Sequence, residues 1–589
     1  MNRILFLLIS IIFVNNAFSQ VLFNEYTKNW ATYFGGQGTR FTNSFVDSNG
    51  DIIAVGEITG GINQVLSDED YYNSFCTSTL PEFMYNTSLA SPFSYANQTI
   101  IAKFSPSGTL IKSVYLPFYT FVAKIDSNDN IYIGGSTHTN NLATPNAWNE
   151  TPFPETVNSY GIMAKLNDDF SINWLTYVPS FFIGNFCLDE NNNIYGITTT
   201  KTMNGITTTN AFQENFIYEI TDNNEYYGNG YLFKLNNQGQ LQWATYYGLT
   251  SGIAVDYMNG ELITSFNRSS LTLTQYDTDF YTPNAYSQNP SSQIITKFNA
   301  TTGERTYSTY LDSGIFRITN DGENYYFYGN GPEITLNGLI SPNAYQPNFG
   351  GMLDLYLGKF DQNINPIWGT YIGGTDVELI EVYNNITIKD NALYMIGLTT
   401  SNFDINSPFP YQNNYAGGND LLMMKFSLNG DFIWGSFFGG DNLESYGSIV
   451  PVSDGTFYIV GNTLSQTNIA TADSYQENVS FHPSYPNINF GNGFIAKFAR
   501  QDDLSVDDFN ENSFSIFPNP IYNEVTISGN LKDTYSLTIH NALGQSVYHT
   551  KLNNSSSQTI DATNLSSGIY LLIISENNKR FYSKKILKK

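Results

Sequence analysis

Apolar and polar positions alternate along this chain in short runs, and no long stretch carries the spacing of an amphipathic helix. One run ends in a Lys-aromatic or Lys-Leu pair, and it recurs. Copies stand at Lys103-Phe104, Lys165-Leu166, Lys234-Leu235, Lys297-Phe298, Lys359-Phe360, Lys425-Phe426 and Lys497-Phe498, about 60 to 70 residues apart. A turn rich in Asn, Asp or Gly follows most copies, such as Ser105-Pro106-Ser107-Gly108. Then comes a strand with an aromatic signature: Trp174-Leu175-Thr176-Tyr177, Trp243-Ala244-Thr245-Tyr246, Trp368-Gly369-Thr370-Tyr371 and Trp434-Gly435-Ser436-Phe437. A second hairpin lies in each period, as in Ile125-Asp126-Ser127-Asn128-Asp129-Asn130-Ile131-Tyr132 and Ser453-Asp454-Gly455-Thr456-Phe457. Alternation across such turns predicts hairpins, because Gly, Asn and Asp tolerate the positive φ that tight turns demand.

Each period therefore predicts four strands. Strands A and B form the Asp-turn hairpin, and C and D form the Lys-aromatic hairpin. Between B and C lies a variable loop with a Pro-Asn-Ala-aromatic core at Trp148, Tyr286 and Tyr345, and a shorter match at Phe212. Those aromatics are expected to pack in a groove near the blade edge. Four strands per period of this length is the pattern of a β-propeller blade.

The ends of the repeat region predict how the ring closes. Its first match is a D strand, Trp30-Ala31-Thr32-Tyr33, with no C strand before it. Its last is a C strand, Phe494-Ile495-Ala496-Lys497-Phe498, with no D strand after it. Pairing them would complete one blade and remove two exposed edges. The predicted fold is all-β: a seven-bladed β-propeller over residues 26–499, closed by that N-terminal D strand and C-terminal C strand. An open solenoid or two smaller propellers are the alternatives. Several A strands depart from the pattern, as at Ile315-Phe316-Arg317-Ile318, so blade 5 matches the repeat least closely.

Residues 500–513 are polar and acidic and read as a linker. Residues 514–589 shift composition and predict a small Ig-like β-sandwich, with strands at 525–528, 535–540, 546–552, 568–575 and 579–587. At the other end, Arg3, the apolar run Ile4 to Val14 and Ala17-Phe18-Ser19 read as a signal peptide over residues 1–19, cleaved between Ser19 and Gln20. The run is too short to span a bilayer, and no transmembrane segment is expected in the mature chain.

Composition narrows the chemistry. The net charge of −26 would repel phosphate backbones, so nucleic acid is not an expected partner. Two cysteines, Cys76 and Cys187, fall in different periods and read as free thiols or one disulfide. Four histidines are present, without a zinc-ligand spacing, and there is no nucleophile elbow, P-loop or dinucleotide fingerprint. Asp47-Ser48-Asn49-Gly50-Asp51 and Asp126-Ser127-Asn128-Asp129-Asn130 have the oxygen-rich composition of calcium loops but lack the Glu at the twelfth position. No cofactor, metal ligand or catalytic residue is therefore assigned. Acidic residues at Asp68-Glu69-Asp70 and at Glu378 with Glu381 are the candidates for a carboxylate pair.

The Trp-x-Thr-Tyr-x-Gly-Gly strand, the A–B hairpin around Asp and the Ala-Lys-Phe strand resemble the bacterial repeats called SBBP repeats, which implies a propeller and says little about activity. The tail resembles the type A sorting domain of the type IX secretion system of Bacteroidota. The matching residues are Ile516-Phe517-Pro518-Asn519-Pro520, Asn541-Ala542-Leu543-Gly544-Gln545, Leu565-Ser566-Ser567-Gly568-Ile569-Tyr570 and the basic end with Lys584 and Lys585. That resemblance implies the translocon as partner and a secreted or outer-membrane-surface protein.

Three functions remain. The leading one is a non-catalytic binding or adhesion module for a glycan or protein, reading its ligand through aromatics of the loops (Tyr71, Tyr72, Trp148, Tyr226, Tyr227, Tyr281, Phe349, Tyr411, Tyr415). The second is a lyase or glycosidase acting on polysaccharide at the channel mouth. The third is a structural or gliding-associated surface protein.

Overall fold

The computed structural model describes residues 26–36, 38–58, 98–153, 159–218, 228–248, 250–268, 280–311, 314–334, 338–381, 385–405, 407, 410–453, 455–479, 491–500, 514–529, 531–532, 534–541, 546–576 and 579–589. The signal region, Cys76, the acidic run 68–70 and Tyr71, Tyr72, Tyr226 and Tyr227 lie outside them. Chain contacts divide the molecule into two units, Met1–Gln501 and Asp502–Lys589.

In the first unit the described strands form seven antiparallel sheets. Sheet 1 is Thr39–Val46, Ile52–Ile58, Gln98–Phe104 and Leu110–Leu116. Sheet 2 is Tyr119–Ile125, Ile131–Thr137, Tyr160–Leu166 and Ile172–Val178. Sheet 3 is Asn185–Leu188, Ile194–Thr200, Asn229–Leu235 and Leu241–Tyr247, and sheet 4 is Thr250–Met258, Glu261–Arg268, Gln293–Asn299 and Arg305–Leu311. Sheet 5 is Ile315–Asn320, Tyr325–Gly331, Asp354–Phe360 and Pro366–Ile372. Sheet 6 is Glu378–Leu379 with Ile386–Lys389, then Ala392–Thr399, Asp420–Ser427 and Phe432–Phe438. Sheet 7 takes Glu444–Ser453, Thr456–Thr463 and Asn492–Arg500, and its outer strand is Tyr26–Phe34 from the other end of the repeat region.

That last pairing runs Tyr26 opposite Arg500, Ala31 opposite Ala496 and Phe34 opposite Gly493. The first strand of each sheet touches the first strand of the next, and the inner strands of sheets 7 and 1 also touch. The sheets thus stand radially around a closed ring of inner strands, the arrangement of a β-propeller. The core is the set of layers between neighbouring sheets. One layer gathers Val55 and Ile101 of sheet 1 with Ile133 and Ala164 of sheet 2, all buried.

The irregular sheet is not the fifth. Ile315–Asn320 pairs along its length with Tyr325–Gly331 after one bulge. Sheet 6 departs instead: its inner strand breaks between Leu379 and Ile386. The two faces of Ile315–Asn320 enter different layers, Ile315 and Ile318 toward sheet 4 and Phe316 toward sheet 6.

The second unit has a sheet of Phe514–Phe517, Glu524–Gly529 and Ser557–Asp561, and a second of Ser546–Lys551, Tyr535–Asn541, Gly568–Glu576 and Lys579–Lys588. Their inner faces share one core that includes Val525, Ile527, Leu537, Ile539, Leu572 and Ile586. The short strands Phe514–Phe517 and Ser557–Asp561 were not expected from the pattern. Their alternation is only four or five residues long, too brief to stand out from the loops around it.

Candidate functional site

The recurring residues are spent between the sheets. Trp30, Trp174, Trp243 and Trp368 each donate an indole N–H to a carbonyl in the C–D turn of the following sheet: Pro106, Asn237, Ala300 and Leu428, at 2.9 to 3.2 Å. The recurring lysine reaches three of these turns, Lys497 to Pro106, Lys234 to Ala300 and Lys359 to Leu428, and Lys297 reaches Gln362 in the corresponding turn of sheet 5. The Pro106, Ala300 and Leu428 carbonyls each receive both a lysine and an indole donor from the sheet before.

The loop aromatics work the same way. The groove they fill belongs to the next sheet rather than to their own edge. Trp148 packs on Phe233, Phe212 on Phe298, Tyr345 on Phe426, Tyr411 on Phe498 and Tyr475 on Phe104. Of the other loop aromatics, Tyr281 packs against Tyr310 and Phe349 against Tyr371, while the Tyr415 hydroxyl donates to the Gly418 carbonyl. Those among the described residues brace the scaffold.

The oxygen-rich turns are also accounted for. The Asp47 carboxylate accepts the N–H groups of Asn49 and Asp51, and Asp126 accepts those of Asn128 and Asn130. This is the geometry of an Asx turn, in which the carboxylate serves the backbone. Among the described residues no group of three or more His, Cys, Asp or Glu could hold a metal ion.

Glu378 and Glu381 do not share a role. Glu378 is fully buried where sheets 5 and 6 meet, accepting from Thr399 Oγ1 at 2.7 Å and from Gly374 N at 2.9 Å. Its counterpart at the next junction is Glu444, which accepts from Thr463, Ser465 and Gly440. Burial lifts Glu444 to about 7 against those hydrogen bonds, with Asp420 adding to the rise.

Glu381 instead lines a cavity of about 350 Å³ between sheets 1, 6 and 7. Arg40, Asn419, Ser445, Tyr446 and Asn462 share its wall. Arg40 pairs through Nε with Glu57, whose carboxylate is 0% exposed. Its other nitrogens donate to the hydroxyls of Tyr446 at 2.7 Å and Tyr119 at 3.2 Å. The guanidinium also lies over the Tyr446 ring, 4.6 Å from its centre. Tyr446 sits at a bulge with φ of +60°, a conformation costly for an aromatic residue, and its N–H donates to Glu381. Burial raises Glu381 to about 7, opposed by the N–H groups of Tyr446 and Gly447 and by Arg40.

From Tyr119 an aromatic row continues: Tyr119 to Phe121 at 4.5 Å between ring centres, and Phe121 to Phe182 at 4.9 Å, with Phe182 47% exposed. These residues lie at or near the starts of the inner strands, at one mouth of the ring. Deeper in, the inner strands carry Lys124, Cys187 and Asp256. Burial lowers the Lys124 ammonium, pushes the Cys187 thiol well up and raises Asp256 to about 6. Cys187 is a free, buried thiol. Arg40, Tyr119, Phe121, Phe182 and Tyr446 carry no motif, so sequence reading passed over them.

In the tail, the side chain of Asn519 accepts the N–H of Leu587 at 2.9 Å, and Ile521 donates to the Leu587 carbonyl at 2.7 Å. Gly568 stands opposite Lys588, Tyr570 opposite Ile586, and Leu572 and Leu571 opposite Lys584 and Lys585. The Pro518-Asn519-Pro520 segment and the Lys-rich end therefore meet on one edge strand. Gly544 and Gln545 lie outside the described residues. Residues 515–589 match the family model described as a secretion system C-terminal sorting domain. The tail is a sorting domain. A protein with this sorting domain is exported to the cell surface or beyond by type IX secretion.

Among curated proteins, an ulvan lyase, NLR42 of Nonlabens ulvanivorans, is 33% identical over 84 residues, which are 14% of this chain and 16% of that one. The chain thus spans about a sixth of that relative's length. Solved structures with similar strand arrangements include an acylaminoacyl peptidase (10% identity, TM-score 0.37, 85% of this chain and 59% of that one). The Dos1 propeller (8%, 0.34, 80% and 95%) and BamB of Moraxella catarrhalis (10%, 0.27, 68% and 91%) are others. Scores this low carry no weight, and the propeller architecture rests on the strand pairing itself.

Proposed function

We propose that the exported protein is a seven-bladed β-propeller that binds a glycan or protein at the mouth of its channel and does no chemistry on it. Its domains are a signal peptide at 1–19, the propeller at 26–499, a linker at 500–513 and an Ig-like sorting domain at 514–589. The translocon is the partner of that last domain, through Pro518-Asn519-Pro520, Gly544-Gln545, Gly568, Tyr570 and the Lys584-Lys585 end.

One observation carries the binding reading. Repeat residues are consumed between sheets, whereas the group of Arg40, Tyr446, Tyr119 and Glu381 occurs once, joins three sheets through Arg40 and holds Tyr446 in a strained backbone. Strain concentrated beside a cavity is more economically explained by recognition than by packing. A glycan array and a pull-down with the wild-type protein and Arg40→Ala test it. Ligand capture lost in the variant supports the reading; equal capture by both removes the mouth as the site.

The enzymatic reading keeps one support, Glu381 near 7 beside Tyr446, which suits proton transfer at neutral pH. Turnover of a polysaccharide panel that disappears in Glu381→Gln would favour it.

A further inference from the structure

The mouth discriminates by charge, and this step rests on the binding reading above. Arg40 would ordinarily be read as a receptor for acidic sugars. Here its charge is met before any ligand arrives, because the buried Glu57 carboxylate pairs with Nε. Two of its remaining donors go to the Tyr446 and Tyr119 hydroxyls, with the guanidinium held over the Tyr446 ring. The other ionisable group on the cavity wall is Glu381. Glu57 and Glu381 together outweigh Arg40, so the local field favours donors and cations. The chain as a whole carries −26 and adds to it at long range.

The second half of the argument is shape. Tyr119, Phe121 and Phe182 form a continuous aromatic row that starts at Arg40 and ends on the half-exposed Phe182 ring. Phe182 packs on Phe121 and turns nearly half its surface to solvent. This ring lies outside the cavity lining and is joined to it through Phe121, Tyr119 and Arg40, and an exposed ring is a platform on which the apolar face of a pyranose stacks. A peptide would need an apolar groove, and this cavity wall is mostly polar, with Arg40, Glu381, Asn419, Ser445, Tyr446 and Asn462.

The geometry points to a non-acidic glycan as the ligand, with one sugar ring on Phe182 and the hydroxyl or ammonium donors of another sugar of the same chain directed to Glu381. Carboxylated or sulfated chains are disfavoured, because Glu57 already pairs with Arg40 and an ionised Glu381 adds negative charge to the wall.

Isothermal titration of the purified full-length chain with chitosan hexamer, cellohexaose, alginate hexamer and a lysine-rich peptide tests this. The expected result is binding of chitosan or cellulose hexamer, no measurable binding of alginate, at least a tenfold loss in Phe182→Ala, and a loss confined to the chitosan hexamer or largest for it in Glu381→Gln. Phe182 is exposed, so its truncation leaves the fold intact, and an unchanged Tm checks this. Alginate binding that Phe182→Ala abolishes would overturn the charge argument while leaving the mouth as the binding site. Binding of the peptide alone would overturn the glycan assignment. No binding of any probe would remove both this inference and the reading beneath it.

Discussion

A Cβ atom placed on Gly303 would stand 2.8 Å from the ring of Trp243, one sheet away. The same indole donates to the carbonyl of Ala300, three residues earlier in the turn. Gly108 against Trp30, Gly239 against Trp174 and Gly430 against Trp368 repeat the arrangement, and all four glycines have positive φ. Two separate demands fall on one residue: a left-handed backbone and room for an indole.

Gly303→Ala should therefore destabilise the propeller by more than a turn glycine alone would. The strained φ costs about 1 kcal/mol and displacement of the packed ring adds about 1–3 kcal/mol. Chemical denaturation measures it. Gly260→Ala is the control, since it has φ of +85° but nothing within 4 Å of the added Cβ; its loss should be the smaller.

Closure by Tyr26–Phe34 predicts the result of deleting that strand. Its loss uncovers the edge of Asn492–Arg500 and removes Tyr33 and Phe34 from the core. A chain lacking 26–34 should aggregate or lose its cooperative unfolding transition, as seen by light scattering and calorimetry. Unchanged cooperativity would mean the ring does not depend on that strand.

Stability should fall as pH rises from about 4 to about 7. Glu381 and Glu444 are held near 7 and Asp256 near 6 in the folded protein, above the ordinary carboxylate range that the unfolded chain adopts. The unfolded state then releases protons the folded state keeps, so this stability is complete below the unfolded values and is lost as pH passes the folded ones. The Tm at pH 5 should exceed that at pH 8. Glu444→Gln should flatten the slope, and an unaltered slope would show that Glu444 does not titrate this way.

Glu57→Gln should loosen Arg40. Removing one partner of a buried pair costs about 3–5 kcal/mol, and about 1–3 kcal/mol is expected here because Arg40 reaches solvent. The loss should be visible in denaturant midpoints. A double variant with Arg40→Met should recover part of it, since no unpaired charge is then left.

In the sorting domain, Asn519→Ala removes the acceptor for the Leu587 N–H and should free the last strand from the Pro518–Pro520 segment. The measurement is the amount of protein reaching the cell surface or medium relative to the amount retained. Export at the wild-type level would place recognition elsewhere in the domain.

Strand order, the hairpins and the sorting tail were legible because each is local: alternation and turn chemistry act over a few residues, and the repeat prints them again and again. The Asp126 turn and the Trp243 strand could be read without knowing their neighbours. The split inner strand of sheet 6 could not, because its break depends on what packs beside it. The loop aromatics were legible as packing residues, yet their partners were not, since Trp148 and Phe233 come from different repeats.

The sequence alone determined the all-β class, the four-strand period and the export tail, all consequences of short-range pattern. Only the tertiary structure decided that Arg40 meets Tyr446, 406 positions away, and that Glu57 neutralises it. Ring closure brings together residues from sheets 1, 2, 6 and 7 that share no motif. A charge's partners are fixed by where the chain returns in space, and no periodicity along the chain records that.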